Sequence, residues 1–425
     1  MTCAVRILYL NQTYVPEPAK LFTDLVQTFE RRGHTVTVLT GFPNYPAGKI
    51  YPGYRQRLWQ AETIEGTRVL RMPLYPDHSQ SAIRRALNYA SLSLSTTCIA
   101  PWVVPPFDVI FGVRPITLGL PAWFLGWLRR KPFVVDIADM WPETLSATGM
   151  LTSRFAHGLV EKAANLVCRQ AGAVRVISPG FRENLVGKGI PRQKVHVIPD
   201  WVDTDTYYPK PPDAEWAREL GLAGRFNVLY AGTVGLSQGL ESALDAAAML
   251  ADLPQVQFVF SGGLGVARDQ LRATAEQRGL NNVRFLGFFP EHKMSDLYAL
   301  TDVLLVQLRE TPLSRITIPH KIYAYMAVGK PILAAIVGDT RDAVLAAQAG
   351  LACPPCNPQE VAATVRAFWG MSADQRQQMG RNGRKAAEEL YSTPRLTAQV
   401  AQLVEDVAAR RLSRAQRKSA SSPPA

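Results

Sequence analysis

Apolar residues recur along the chain in two rhythms. Residues 5–10 (Val-Arg-Ile-Leu-Tyr-Leu), 36–40 and 133–135 show the nearly continuous apolar runs of strands covered on both faces. Between the first two, Leu21, Phe22, Leu25, Val26 and Phe29 repeat with helical period over 19–32 and stop before Gly33. Strand, helix, strand in this order predicts a parallel sheet with covering helices. The alternation continues with strands at 108–111, 174–177 and 195–199. Helices are expected at 86–100, 118–129 and 151–170, and another opens at Ser178-Pro179, a cap followed by a first-turn proline. After a stretch of proline and charge the pattern resumes. It predicts strands at 228–230, 257–260, 283–286 and 303–306 and from 332. Helices follow from 240 and at 291–300, 339–347, 358–369 and 372–390.

The fold class is therefore α/β, with two doubly wound, Rossmann-like domains facing across a cleft. With 425 residues the chain is long enough for two cores. We expect an N-terminal domain over 1–205, a linker over 206–225 and a second domain over 226–385. A C-terminal helix over 386–409 can pack back on the first domain, and a basic, disordered tail covers 410–425. Pockets favour the space between such domains and the carboxyl ends of their strands.

Charge narrows the partners. Lys and Arg outnumber Asp and Glu by 47 to 35, which favours nucleotides or phospholipid headgroups. Nucleic acid is not expected, because the basic residues are dispersed rather than interleaved with aromatics. Arg84 and Arg85, ahead of an apolar helix and Trp102, suit either a membrane interface or a helix packed on the sheet with a solvated basic end. Cys353-Pro-Pro-Cys356 has no second pair, so no zinc site is expected. Neither a signal peptide nor an apolar run of membrane-spanning length is read from the sequence, which predicts a cytoplasmic protein able to touch the inner membrane face.

Candidate chemistry clusters past strand ends. Residues 41–54 form a loop rich in Pro, Tyr and Gly, read as a functional rim or a decorated surface loop. Asp136, Asp139, Trp141 and Glu143 crowd the turn after residue 135, where a carboxylate can orient a hydroxyl or cap the next helix. Gly232 and Gly235, and then Gly262 and Gly263, mark turns whose backbone can approach a phosphate. Lys321 stands at the mouth of a short helix between a loop and a buried strand, a phosphate-friendly position that is equally compatible with scaffold.

Taken together, Arg31–Tyr54, Asp139-Met-Trp-Pro-Glu143, Val197-Ile-Pro-Asp-Trp-Val-Asp203, Gly235-Leu-Ser-Gln-Gly239 and Lys321-Ile-Tyr-Ala-Tyr-Met-Ala-Val-Gly-Lys-Pro331 resemble family 4 glycosyltransferases. These are retaining enzymes of GT-B architecture. The likeness is to their bacterial O-antigen, capsule and colanic-acid branch, which includes N-acetyl-L-fucosamine transferases. The resemblance implies a nucleotide-sugar donor on the C-terminal domain and a saccharide acceptor, often polyprenyl-diphosphate-linked, on the N-terminal one. It implies no cofactor and no metal, and a role in polysaccharide biosynthesis. Lys321 matches the phosphate-contacting position, Gly232–Gly235 supply backbone, Gln238 stands where a second basic residue is usual, and Asp139 is assigned to the reacting sugar or acceptor hydroxyl. Where the family carries two glutamates this chain has Ile316 and Ala324, and His320 replaces a serine. Either the ribose is then held differently, through Glu310 or Tyr325, or the donor differs, or activity is impaired. After the first strand, Glu17-Pro-Ala-Lys20 replaces a small-residue loop. Other readings are a GT-B epimerase or phosphorylase, or a degenerate transferase acting as an assembly scaffold.

Overall fold

The computed structural model describes residues 4–79, 81–147, 153–262 and 265–420. It divides into two compact units, one of residues 1–199 with 396–425, the other of residues 200–395.

In the first unit the strands are β1 (Arg6–Asn11), β2 (Thr35–Gly41), β3 (Gln60–Ile64), β4 (Thr67–Met72), β5 (Val109–Arg114), β6 (Phe133–Ile137), β7 (Ala173–Val176) and β8 (Val195–Val197). They form one sheet in the order β3-β4-β2-β1-β5-β6-β7-β8. The β3–β4 pair is an antiparallel hairpin and the other pairings are parallel. The hairpin was absent from the expected elements; its turn is Glu65-Gly66, both at positive φ. Helices α1 (Lys20–Arg31), α2 (Ala82–Val103), α3 (Gly119–Leu128) and α4 (Arg154–Gln170) connect the strands. As read from the sequence, Ser178 caps the helix beginning at Pro179, accepting from Phe181 N at 3.2 Å.

The C-terminal helix, Thr393–Ala420, packs on this unit. Thr28 Oγ1 donates to Thr397 Oγ1 at 3.0 Å, and Glu405 accepts from Arg32 Nε at 2.6 Å and from the buried His34 Nε2 at 2.8 Å. Two corrections follow. The helix runs through 410–420, which had been expected to be disordered, and residues 386–390 belong to the preceding helix, Ala373–Leu390.

The second unit holds β9 (Phe226–Ala231), β10 (Val256–Ser261), β11 (Val283–Leu286), β12 (Val303–Gln307), β13 (Ile332–Ala335) and β14 (Gly350–Cys353), all parallel, in the order β11-β10-β9-β12-β13-β14. The chain order reverses between β9 and β12, the kind of switch point that opens a crevice at the carboxyl edge. The segment expected as a linker is part of this unit. Leu222 lies in its core, Ala214–Glu219 is helical, and Lys210 pairs with Asp296 at 2.7 Å. The division falls at Pro199–Asp200 instead.

Candidate active site

At the β9–β12 switch point three segments meet. β9 ends at Ala231 and turns through Gly232, whose φ of +132° disfavours any side chain. A Cβ built on Gly232 would lie 2.8 Å from Lys321 Nζ, so the missing side chain is what admits the ammonium. β12 leads by a longer loop to α5 (Lys321–Ala327), the short helix beginning with that lysine. From β10, Gly262 packs backbone on backbone against Gly232, where a Cβ would stand 2.1 Å from the Gly232 carbonyl oxygen.

Lys321 is the unusual group here. Its Nζ sits 3.8 Å from the centroid of the Tyr230 ring, a cation–π arrangement. Among the described residues no carboxylate pairs with it. The residue as a whole is half-buried, but the ammonium is enclosed enough for desolvation to pull its pKa from 10.5 to about 7. A cation in that condition lacks an anion.

Beside it, Gly235 opens a 3-10 turn over Leu236–Gln238, and the Gln238 amide folds back to 3.0 Å from where a Gly235 Cβ would be. The turn is held from behind. Gln307, the last residue of β12, donates from Nε2 to the Gln238 carbonyl at 3.1 Å and to Ser242 Oγ at 3.0 Å. Arg309 donates from Nε to the Leu236 carbonyl at 2.7 Å and from its backbone N to the Ser237 carbonyl at 2.8 Å.

Lys321, Gly232 and Gly262 thus come together, Gly235 and Gln238 lie in the turn that follows Gly232, and Gly263 lies outside the described residues. The two residues expected at the ribose are both engaged within the protein. Tyr325 is fully buried, and its hydroxyl accepts from Ala231 N at 3.1 Å, clamping α5 to β9. Glu310 is on an exposed loop, paired with Arg315. Ala324 is 4% exposed, and His320 Nε2 contacts the Trp201 carbonyl at 3.0 Å. Tyr230, Gln307 and Arg309 were missed. A polar residue closing an otherwise apolar strand was the available signal for Gln307.

In the first unit the two aspartates part ways. Asp136 is buried between Arg114 and Arg175, whereas Asp139 is exposed and lines a small hollow with Arg114, Ile116 and Trp141. The Tyr89 ring meets Trp141 edge-on at 5.4 Å. Glu143 opens a short helix and pairs with Lys188. Glu17 is buried and accepts backbone N–H groups of Tyr14 (3.1 Å), Asn44 (2.8 Å) and Tyr45 (2.7 Å), anchoring the 41–54 loop to the loop that follows β1. Burial raises its pKa against those donors. Among the described residues no group of three or more His, Cys, Asp or Glu is placed to hold a metal.

The backbone contact at Gly262 gives a direct test of the donor turn. Gly262→Ala is expected to destabilise the protein by about 1–3 kcal/mol and to weaken nucleotide binding, because backbone must move. Gly265→Ala, with nothing within 4 Å of its Cβ, is the control and is expected to be neutral. Thermal melts and nucleotide titration check both.

Residues 18–201 match the glycosyl transferase 4-like domain model, and residues 213–386 match the glycosyl transferases group 1 model. A protein of Escherichia coli (strain K12) named for colanic acid biosynthesis, the glycosyl transferase WcaI, is 29% identical over 343 residues, covering 76% of this chain and 82% of that one. An alpha-galactosylglucosyldiacylglycerol synthase of Streptococcus pneumoniae is 31% identical over 185 residues, 42% of this chain and 48% of the relative. Among solved structures, Anabaena HepE with UDP and glucose superposes with a TM-score of 0.68 at 19% identity, over 94% of this chain and 99% of that one. WaaG, a lipopolysaccharide-biosynthesis glycosyltransferase, superposes with a TM-score of 0.64 at 18% identity, over 94% and 99%. With matched domains spanning both units and a two-domain fold shared over nearly its whole length, the chain is a glycosyltransferase of the GT-B class.

Proposed function

We propose that the chain moves a sugar, with retention, from a nucleotide-sugar held by the second unit to a saccharide acceptor at the Asp139–Trp141 edge of the first. The acceptor class we favour is a saccharide on polyprenyl diphosphate, made at the cytoplasmic membrane face for a surface polysaccharide. The fucosamine-transferase branch is the resemblance behind that choice. The observation carrying the reading is the enclosed Lys321 ammonium, which has no carboxylate partner among the described residues and lies against Gly232 at a strand-order switch point.

The chemistry follows from charge. As the glycosidic bond to phosphate breaks, negative charge gathers on the leaving diphosphate. A cation and fixed N–H groups already aimed at that place stabilise the transition state without reorganising. Lys321 supplies the cation, and the Gly232–Gln238 turn supplies backbone. Asp139 orients the acceptor hydroxyl, and Trp141 with Tyr89 offers an aromatic wall for a sugar face. In support, WcaI is named for colanic acid biosynthesis, and HepE was also solved with UDP-glucose. UDP is therefore the first nucleotide to try.

Product analysis with labelled nucleotide-sugars and lipid-linked acceptors tests the reaction. Folded protein that transfers nothing from any donor would end the proposal.

A pH experiment tests the site separately. The free lysine loses its charge above about pH 7, so binding a diphosphate there requires taking up a proton. Apparent affinity for UDP is expected to fall by up to about tenfold per pH unit above that point. Calorimetry at pH 8 in buffers of different ionisation heat should register uptake of up to one proton. Zero uptake would remove Lys321 from the phosphate.

A further inference from the structure

The first unit carries an outer surface that its core does not require. α3 reads Gly-Leu-Pro-Ala-Trp-Phe-Leu-Gly-Trp-Leu, without one polar side chain. Pro121, Ala122 and Leu125 are buried, yet Leu120 and Leu128 are exposed and Trp127 is 67% exposed. A helix apolar on every side normally lies in a core or in lipid. α2 and α4 flank it. α2 exposes Ile83, Leu87, Leu94 and Trp102, the last at 85%, and α4 exposes Phe155, at 83%, with Leu159 and Leu166. On α2 and α4 these positions recur at intervals of four, seven or eight residues, which places them along one side of each helix.

Charge selects what covers this face. Between residues 78 and 135 the only acidic residue is Asp108, against Arg84, Arg85, Arg129, Arg130 and Lys131, while Arg114 turns inward to Asp136. Beyond the end of α3, beside the starts of β6 and β8, lies a cavity of about 940 Å³. Trp123, Trp127, Arg130, Lys131, Lys194 and Arg410 contribute to its wall, and its lining residues include no carboxylate. Lys131 pairs with Asp108 at 3.1 Å, and Lys194 donates to the Arg169 and Ala171 carbonyls. The Arg130 side chain makes no hydrogen bond or ion pair with a described residue. From Arg410 the C-terminal helix continues through Arg411, Arg414, Arg417 and Lys418. A second copy on this face would set cation against cation. Among the described residues no helix is long and apolar enough to cross a membrane.

We propose that the α2–α3–α4 face docks on an anionic bilayer, its tryptophans and aliphatic side chains entering the interface while the basic cavity takes a phospholipid phosphate. Apolar burial and headgroup attraction reinforce each other there. The cavity lies at the amino ends of the strands, so docking leaves the opposite, Asp139 edge of the sheet uncovered.

Co-sedimentation of the full chain with phosphatidylcholine vesicles, with and without phosphatidylglycerol, tests this. Binding is expected only with phosphatidylglycerol, with a blue shift of tryptophan emission and release by salt. Trp102→Ser with Trp127→Ser, and separately Arg129→Glu with Arg130→Glu, are each expected to weaken partitioning at least about tenfold. All these side chains are exposed, and unchanged melting confirms folded protein. The proposal is overturned by no binding to either vesicle, by equal binding to both, by unchanged partitioning of both variants, or by self-association that disappears with the tryptophans. UDP titration without vesicles reads the donor site alone, so failure of either proposal leaves the other standing.

Discussion

Replacing Lys321 by Met should lower turnover about 10–1000-fold, the effect of losing one charge-assisted contact of about 1.5–4 kcal/mol at a developing charge. The same variant should make the ligand-free protein more stable. Buried in the folded state, Lys321 titrates near pH 7 rather than 10.5. The unfolded chain therefore binds more protons across that window. Stability of the ligand-free protein should rise with pH between about 7 and 10.5, and the full penalty of burying the charge is present below about 7. Methionine fills the same space without that penalty, so a gain of about 1–3 kcal/mol at pH 7 is expected. Denaturant melts and initial rates measure the two effects. Their opposite signs are diagnostic, because a structural lysine would lose stability and activity together. A variant that is less stable, or that turns over normally, refutes the assignment.

That lysine also shows what kind of information the sequence contained. Lys321 and Tyr325 stand four residues apart, so period alone puts them on one side of α5, and both do face the end of β9. Depth was not legible. Tyr325 is sealed against Ala231, while the lysine nitrogen occupies the gap left by Gly232. A face is a property of spacing, whereas depth depends on what the other strands bring to it. Tyr230 was missed for the same reason: it is one more residue of a continuous apolar strand until the lysine lies over its ring. Most parallel strands were read well, because burial on both faces makes them continuous apolar runs, but β14, a short and partly buried edge strand, was not. The β3–β4 hairpin was not. β3 lies at the sheet edge and its residues are only partly buried or exposed, leaving little apolar contrast to read.

Asp136 and Asp139 are three residues apart, and their spacing alone left open which carboxylate was chemical and which structural; only the family resemblance pointed to Asp139. Their surroundings predict opposite outcomes. Asp136 lies directly across from Arg175 in the β6–β7 register. It accepts from Arg175 Nη1 at 2.8 Å and from Arg114 Nε at 2.7 Å, while the fully buried Arg175 also donates to the Ile198 carbonyl at 2.8 Å. One carboxylate thus joins three adjacent strands near their carboxyl ends. Asp136→Ala removes the carboxylate that both guanidinium groups share, one of them without any access to water, and should cost about 3–5 kcal/mol. Asp139 is exposed, so Asp139→Asn should change stability by less than about 1 kcal/mol while lowering transfer to the acceptor and leaving UDP affinity unchanged. Chemical denaturation and paired kinetic and binding measurements separate the cases. If Asp136→Ala melts like the parent, the triad is not what fixes the β5–β6–β7 edge. Should Asp139→Asn transfer normally, the acceptor hydroxyl is oriented by another group. The expected split, stability for one carboxylate and turnover for the other, follows from a buried charge with two partners against an exposed one at a strand's carboxyl end.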